Sequence, residues 1–194
     1  MPQVSLEALI AGVRAGKVVS FPTDTIPALA SLPEYAELIF ATKKRALDKP
    51  LILMAAKAED LWPYVKGSPE EMQIWQEVAK RCWPGALTLV LPAQSDRFLA
   101  QMNPLEPTTI GVRVPNSASA RKILAETGPL ATTSANLSGE PPLLSAAAIE
   151  AKFPEVLVLS PEAFASEVAT GVASTVAKWK GSGWEILRQG EVKI

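Results

Sequence analysis

The chain has 194 residues, 48 % of them hydrophobic and 20 % charged; this suffices for one sizeable core, and residues 1–194 read as a single domain. Nineteen Lys and Arg against twenty Asp and Glu leave a formal charge of −1, which excludes a globally basic surface for a phosphate backbone. With no histidine and a single cysteine, Cys82, an internal disulfide, a Cys-rich zinc site and a Ser-His-Asp triad are excluded too, leaving hydroxyl, amide, ammonium, guanidinium and carboxylate groups for any chemistry.

In chain order, Met1 to Leu6 shows no basic region followed by an apolar stretch, so no secretory signal is expected. Ser5 can cap a helix with Leu6, Leu9, Ile10 and Val13 on one face and Gly16 as its stop. Lys17 to Phe21 reads as a buried strand ending at Pro22. Pro33 starts a second helix that presents Tyr35, Leu38 and Ile39 on one face and ends in Lys43-Lys44-Arg45. Leu51 to Ala55 is a strand, Glu70 to Cys82 a helix with Trp75, Val78 and Ala79 inward, and Leu87 to Leu91 a strand. Thr109 to Val114 alternates as a strand, with Arg113 on the face of Thr109 and Gly111. Ser117 caps a helix to Glu126, and Leu130 to Thr133 is a short strand. Ser145 to Lys152 is helical and Val156 to Leu159 extended; strands near Ser174 to Trp179 and Trp184 to Arg188 close the chain. The irregular alternation predicts an α/β (α+β) fold, a mixed twisted sheet flanked by helices. No apolar run approaches the roughly 20 residues that cross a bilayer, so a cytoplasmic location with no membrane partner is expected.

Several segments end strands with polar groups. Phe21-Pro22-Thr23-Asp24-Thr25 offers two hydroxyls around a carboxylate, either as a turn or as a ligand contact. Lys43-Lys44-Arg45 with Lys49 is either a solvated helix end matched to the dipole or a phosphate-neutralising cluster. Trp83-Pro84-Gly85 is a turn before Thr88. Arg113, inside an apolar strand, needs an anionic partner from the protein or from a bound carboxylate. Thr132-Thr133-Ser134-Ala135-Asn136-Leu137-Ser138-Gly139 can present hydroxyls and amides to phosphate oxygens, yet it is neither a Walker loop nor a dinucleotide fingerprint.

Together with Ser174-Thr175-Val176 and Ile186-Leu187-Arg188, these segments resemble, in family order, the YrdC-like threonylcarbamoyl-AMP synthases of tRNA threonylcarbamoyladenosine formation. The resemblance implies a positively lined cleft that joins L-threonine, bicarbonate and ATP to give threonylcarbamoyl-AMP and pyrophosphate. It implies Thr25, Arg113, Thr133 and Ser174 around threonine, with Thr23 an equal candidate beside Thr25 and Thr175 beside Ser174. It places Lys43, Arg45, Ser134, Asn136 and Arg188 towards ATP, with Thr88 near the same cleft, and makes Lys43, Arg45 and Arg113 the catalytic set. Mg²⁺ would accompany the nucleotide without a protein cage, and tRNA or tRNA-modification proteins would be the partners. The chain departs from the family's usual Val-Tyr-Gly-Leu-Gly at Ile26-Pro27-Ala28-Leu29-Ala30, where lost glycines imply a locally altered, narrowed wall; Ala46 replaces a proline, and Met54 a polar residue or histidine of some members. Two other readings remain open at this level: an RNA- or nucleotide-binding module of the same fold, and a degenerate paralogue without turnover.

Overall fold

The computed structural model describes residues 3–94 and 99–194, so Met1 and Pro2 of the segment read for a secretory signal lie outside the described residues. The first helix, α1 (Leu6–Arg14), begins where Ser5 Oγ accepts the Ala8 amide, and buries Leu9, Ile10 and Val13. Gly16, at φ 75°, turns the chain into β1 (Val19–Phe21). Next comes β2 (Ala28–Ser31), a strand that sequence reasoning did not assign. Its Ala-Leu-Ala core has little β propensity; hydrogen bonding on both sides makes it a strand.

A single 3-10 turn at Pro33–Tyr35 precedes α2 (Ala36–Lys43). The tighter turn rotates the frame by which the face was read. Tyr35 and Leu38 are 42 % and 38 % exposed, and the buried positions are Ala36, Ile39, Phe40 and Lys43. That set follows helical spacing, so the last buried position of the stripe falls on a lysine. β3 (Ile52–Met54) follows, then α3 (Pro69–Cys82), which opens on a capping box between Ser68 and Glu71 and turns Trp75, Val78 and Ala79 inward as expected. The remaining elements are β4 (Leu87–Pro92), the single turn α4 (Leu99–Met102), β5 (Thr109–Arg113), α5 (Ala118–Thr127), β6 (Leu130–Ser134), α6 (Ala146–Lys152), β7 (Leu157–Val158), β8 (Thr175–Trp179) and β9 (Trp184–Arg188). Ser117 caps α5 as the sequence predicts, and Ser145, read as the first helical residue, instead stands just outside α6 as its N-cap.

The nine strands form one mixed sheet in the order β7-β1-β2-β6-β3-β5-β4-β8-β9, parallel at β7/β1, β3/β5 and β4/β8 and antiparallel elsewhere. Alternation sends Leu29, Ala131, Leu53, Val112, Leu89 and Ala177 to one face, where Ile39 and Phe40 of α2 and Trp75 and Val78 of α3 complete the larger core. On the other face Ala28, Ala30, Leu130 and Met54 pack with residues of α1 and α5. Among the described residues, β4, β5 and β8 contribute nothing to that second core. Their side chains on this face line a cavity instead. No helix among the described residues is long and apolar enough to cross a membrane.

Candidate functional site

The cavity has a volume of about 540 Å³. One rung of the sheet, Thr132–Ile52–Gly111–Val90–Lys178, crosses five strands and supplies its floor. Gly111 keeps the middle of the rung open: a Cβ there would stand 2.7 Å from Ile52 Cγ2 and 3.6 Å from Thr88 Cγ2. A Gly111→Val variant is therefore expected to lose about 1–3 kcal/mol of stability by overpacking and to obstruct the cavity. Urea unfolding checks the first part, and a wild-type midpoint would show that the floor has slack.

Arg113 stands on the next rung, beside Met54. It is 3 % exposed. Its Nε donates to Gly85 O at 3.0 Å, Nη1 to Thr25 Oγ1 at 2.9 Å and Nη2 to Asp24 Oδ1 at 2.7 Å. The anionic partner that a strand-borne arginine requires is thus supplied by the protein, from the loop between β1 and β2. These three bonds use three of the five guanidinium N–H groups, leaving two for a ligand. Burial lowers the guanidinium's proton affinity and Asp24 pulls it back. Thr23 does not line the cavity; its hydroxyl contacts Thr25 Oγ1 at 3.1 Å and donates to Ile26 O at 2.7 Å, so it fixes the turn that presents Thr25.

Across the cavity, Arg188 donates through Nε to Ser174 O at 2.9 Å and through Nη2 to Ser174 Oγ at 3.2 Å, and that hydroxyl meets Thr88 Oγ1 at 2.9 Å. Thr175 points elsewhere, donating to Val192 O and accepting the Gly190 amide. Ser174 is therefore the cavity residue of that pair, just as Thr25 is of the other. Burial depresses the proton affinity of Arg188 as it does for Arg45. Arg45 lines the opposite rim, its side chain folded onto the carbonyls of Lys49 (2.8 Å) and Pro50 (3.0 Å).

Lys43 is the outlier of its cluster. At 0 % exposure it is neither a solvated helix end nor a cavity-lining group. Its ammonium donates to Ser134 O, to Thr133 Oγ1 at 3.3 Å, to Ser134 Oγ at 3.4 Å and to Asn136 Oδ1 at 3.1 Å. Asn136 accepts a further bond from Ser134 Oγ at 2.6 Å and donates to Leu137 O and Glu140 O, which shapes the loop after β6. Lys43 and Asn136 thus lie behind the wall whose cavity face is Thr133 and Ser134. Burial, and then the charges of Arg45 and Lys49, lower the Lys43 pKa to about 7.

Of the residues singled out from sequence, Thr25, Arg45, Thr88, Arg113, Thr133, Ser134, Ser174 and Arg188 share the cavity. Lys178, Glu106 and Asn103 also line it and were not anticipated; only Lys178 had a readable signal, two positions from Val176 on an alternating strand. The narrowed wall is real at Ile26 and Ala28, which line the cavity, but no glycine-like backbone is needed there: among the described residues only Lys44 has positive φ outside glycine. Pro27 precedes the ladder and its carbonyl accepts the Ala135 amide at 2.9 Å, so the missing donor goes unused. The altered wall is therefore built as a regular strand, with Ala28 and Ala30 at the two positions where the family has glycine.

A mixed sheet with Arg45, Arg113 and Arg188 and several hydroxyls around one cavity defines an α/β protein whose cavity carries groups suited to anions. The family model for the Sua5, YciO and YrdC proteins, described as "Telomere recombination", matches residues 12–190. The chain belongs to this family. It is 41 % identical over 138 residues to the threonylcarbamoyl-AMP synthase of Pyrococcus abyssi, covering 69 % of this chain and 39 % of that protein. A threonylcarbamoyl-AMP synthase of Photobacterium profundum matches over 96 % of this chain and 99 % of its own length at 28 % identity. In structure, P. abyssi Sua5 complexed with L-threonine superposes with a TM-score of 0.79 at 33 % identity, over 95 % of this chain and 54 % of that one. Escherichia coli YciO superposes at 0.81, with 21 % identity over 97 % and 90 % of the two chains, and speaks to the fold alone. The chain spans about two fifths of the length of the P. abyssi and Bacillus subtilis synthases it matches.

Proposed function

We propose that this chain is an ATP-dependent L-threonylcarbamoyladenylate synthase, a nucleotidyltransferase whose single domain, residues 1–194, holds L-threonine, bicarbonate and ATP and whose product feeds tRNA threonylcarbamoyladenosine formation. The observation that carries the reading is the pairing of Arg113 and Thr25 with Ser174, Thr88 and Arg188 around one cavity. The two unused N–H groups of Arg113 suit a planar carboxylate, that of the amino acid, with Thr25, Thr133 and Ser174 beside it. Arg45, Arg188, Ser134 and Thr88 supply charge and hydroxyl groups for the phosphates of ATP. Lys43 acts on them through the Ser134 wall rather than by contact, and Asn136 holds that wall in shape.

The free-amine form of L-threonine, its ammonium proton released to solvent, reacts with bicarbonate to give an N-carboxylate with loss of water. One of its oxygens attacks the α-phosphorus of ATP, the bond to the bridging oxygen of the β-phosphate breaks, and pyrophosphate leaves with the electron pair. The nucleophile is already an anion, so no histidine base is needed; positioning and charge neutralisation are the protein's work. Asp48 and Glu106 are the carboxylates on the cavity wall, and Glu106 faces Lys178 at 3.5 Å. Two separate carboxylates fit a Mg²⁺ that arrives on the phosphates, not one caged by protein. A soluble cytoplasmic location and contact with tRNA or tRNA-modification proteins complete the reading.

Purified protein incubated with ATP, bicarbonate and L-threonine is expected to release pyrophosphate in proportion to threonylcarbamoyl-AMP formed, with release lost when either threonine or bicarbonate is omitted. Nucleotide binding without threonine-dependent release would assign the chain to the paralogue that has lost turnover.

A further inference from the structure

Between the 3-10 turn at Pro161–Phe164 and β8, the chain passes the Asp24-Thr25 turn at the Arg113 end of the cavity as an irregular strap. Three points tie it down. The Glu167 carboxylate accepts the Ser117 hydroxyl at 2.6 Å and the Ser119 amide at 2.7 Å, at the N-terminus of α5. The Thr170 amide donates to Asp24 O at 3.0 Å, and the Gly171 amide to Thr25 O at 2.9 Å. Gly171 has φ 74°, the left-handed region that lets its amide turn to that carbonyl. Three residues later the strap delivers Ser174 into the cavity.

The two carbonyls the strap grips belong to the two residues whose side chains hold Arg113. Glu167 takes the Ser119 amide of the first turn of α5, while the helix has its own N-cap in Ser117 Oγ, which accepts the Ala120 amide at 3.1 Å. Its neighbour Val168 is 89 % exposed, so packing does not hold the strap at this point. The carboxylate does, at the positive end of a ten-residue helix.

We propose that Glu167 is a positioning residue for the amino-acid end of the cavity: its carboxylate anchors the strap, and the strap's amides set the Asp24-Thr25 turn that aims Arg113. The substrate part of this inference rests on the synthase reading; the anchoring part does not. In Glu167→Ala, hydrogen exchange at the Thr170 and Gly171 amides is expected to accelerate at least tenfold, while the α3 amides keep wild-type protection. Calorimetric titration is expected to show L-threonine affinity reduced roughly tenfold, with ATP affinity unchanged and partial recovery in Glu167→Gln, which keeps one acceptor and the shape. Wild-type exchange at Thr170 and Gly171 in Glu167→Ala overturns the proposal, as does an equal loss of threonine and ATP affinity in step with a lowered melting temperature. If the wild-type protein itself binds no L-threonine, the synthase reading fails and the exchange measurement alone decides whether Glu167 anchors the strap.

Discussion

Arg113→Ala is expected to lower kcat/KM for L-threonine by roughly 30- to 5000-fold, the effect of removing one partner of a buried, hydrogen-bonded charge pair at about 2–5 kcal/mol. The loss falls mainly on threonine, since the residue's free N–H groups are assigned to the amino acid's carboxylate. The same variant strands Asp24, whose side chain is 14 % exposed, and leaves Gly85 O and Thr25 Oγ1 without their donor. A destabilisation of about 3 kcal/mol follows, the lower end for breaking a buried pair because Asp24 keeps some water.

Arg113→Lys separates the two consequences. A lysine restores the charge opposite Asp24, and with it part of the stability, but its ammonium cannot span Gly85 O, Thr25 and Asp24 while also offering a fork to a carboxylate. Thermal melting should therefore recover partially in the lysine variant while threonine KM stays close to that of the alanine variant. An alanine variant with a lowered melting point and a wild-type threonine KM would make Arg113 a structural residue, its three protein partners being its whole purpose.

What the sequence discloses about this region, and what it withholds, follows from the range of the interactions. Helix caps at Ser5 and Ser117 bond amides three residues ahead, and the sides of β5 are set by alternation, so both are local and legible. Asp24 and Arg113 lie 89 positions apart; alternation says that Arg113 needs an anion but not where the anion comes from. Thr23 versus Thr25 and Ser174 versus Thr175 are undecidable by residue type, because a shift of one or two positions at a loop or strand start swaps a cavity hydroxyl for a buried one. β2 escapes because its strand character comes from β1 and β6 on either side, not from its alanines. In α2, the 3-10 turn at its start displaces the inferred face, so Lys43 is legible as a cation of interest but not as the residue on which the buried stripe of Ala36, Ile39 and Phe40 ends.

Lys43 is expected to tie stability, and on the synthase reading ATP affinity, to a single proton. Its ammonium has a folded pKa of about 7 against an ordinary 10.5. Below pH 7 it is charged in both states, and the folded protein carries the full cost of burying that charge. Between pH 7 and 10.5 the unfolded chain still holds the proton and the folded chain has released it, so unfolding takes up a proton and stability rises with pH. The slope is at most about 1.4 kcal/mol per pH unit from one group. Cys82 works in the opposite direction, because burial raises its pKa above 9.0 and its contribution to stability is lost as the unfolded thiol ionises. Comparison with Lys43→Met cancels that term, Cys82 being common to both. Urea unfolding at pH 6.5, 8 and 9.5 is expected to show wild-type stability rising relative to Lys43→Met; parallel curves would mean that the oxygens of Thr133, Ser134 and Asn136 keep the ammonium charged throughout. A nucleotide polyphosphate on the cavity side of the Ser134 wall would favour the charged form, so ATP affinity should fall over the same window in which stability rises. In Lys43→Met, ATP affinity should be weaker at pH 6.5 and flat with pH. An ATP affinity that stays constant in the wild type from pH 6.5 to 9.5 would detach Lys43 from the nucleotide and leave it only the task of shaping the loop after β6.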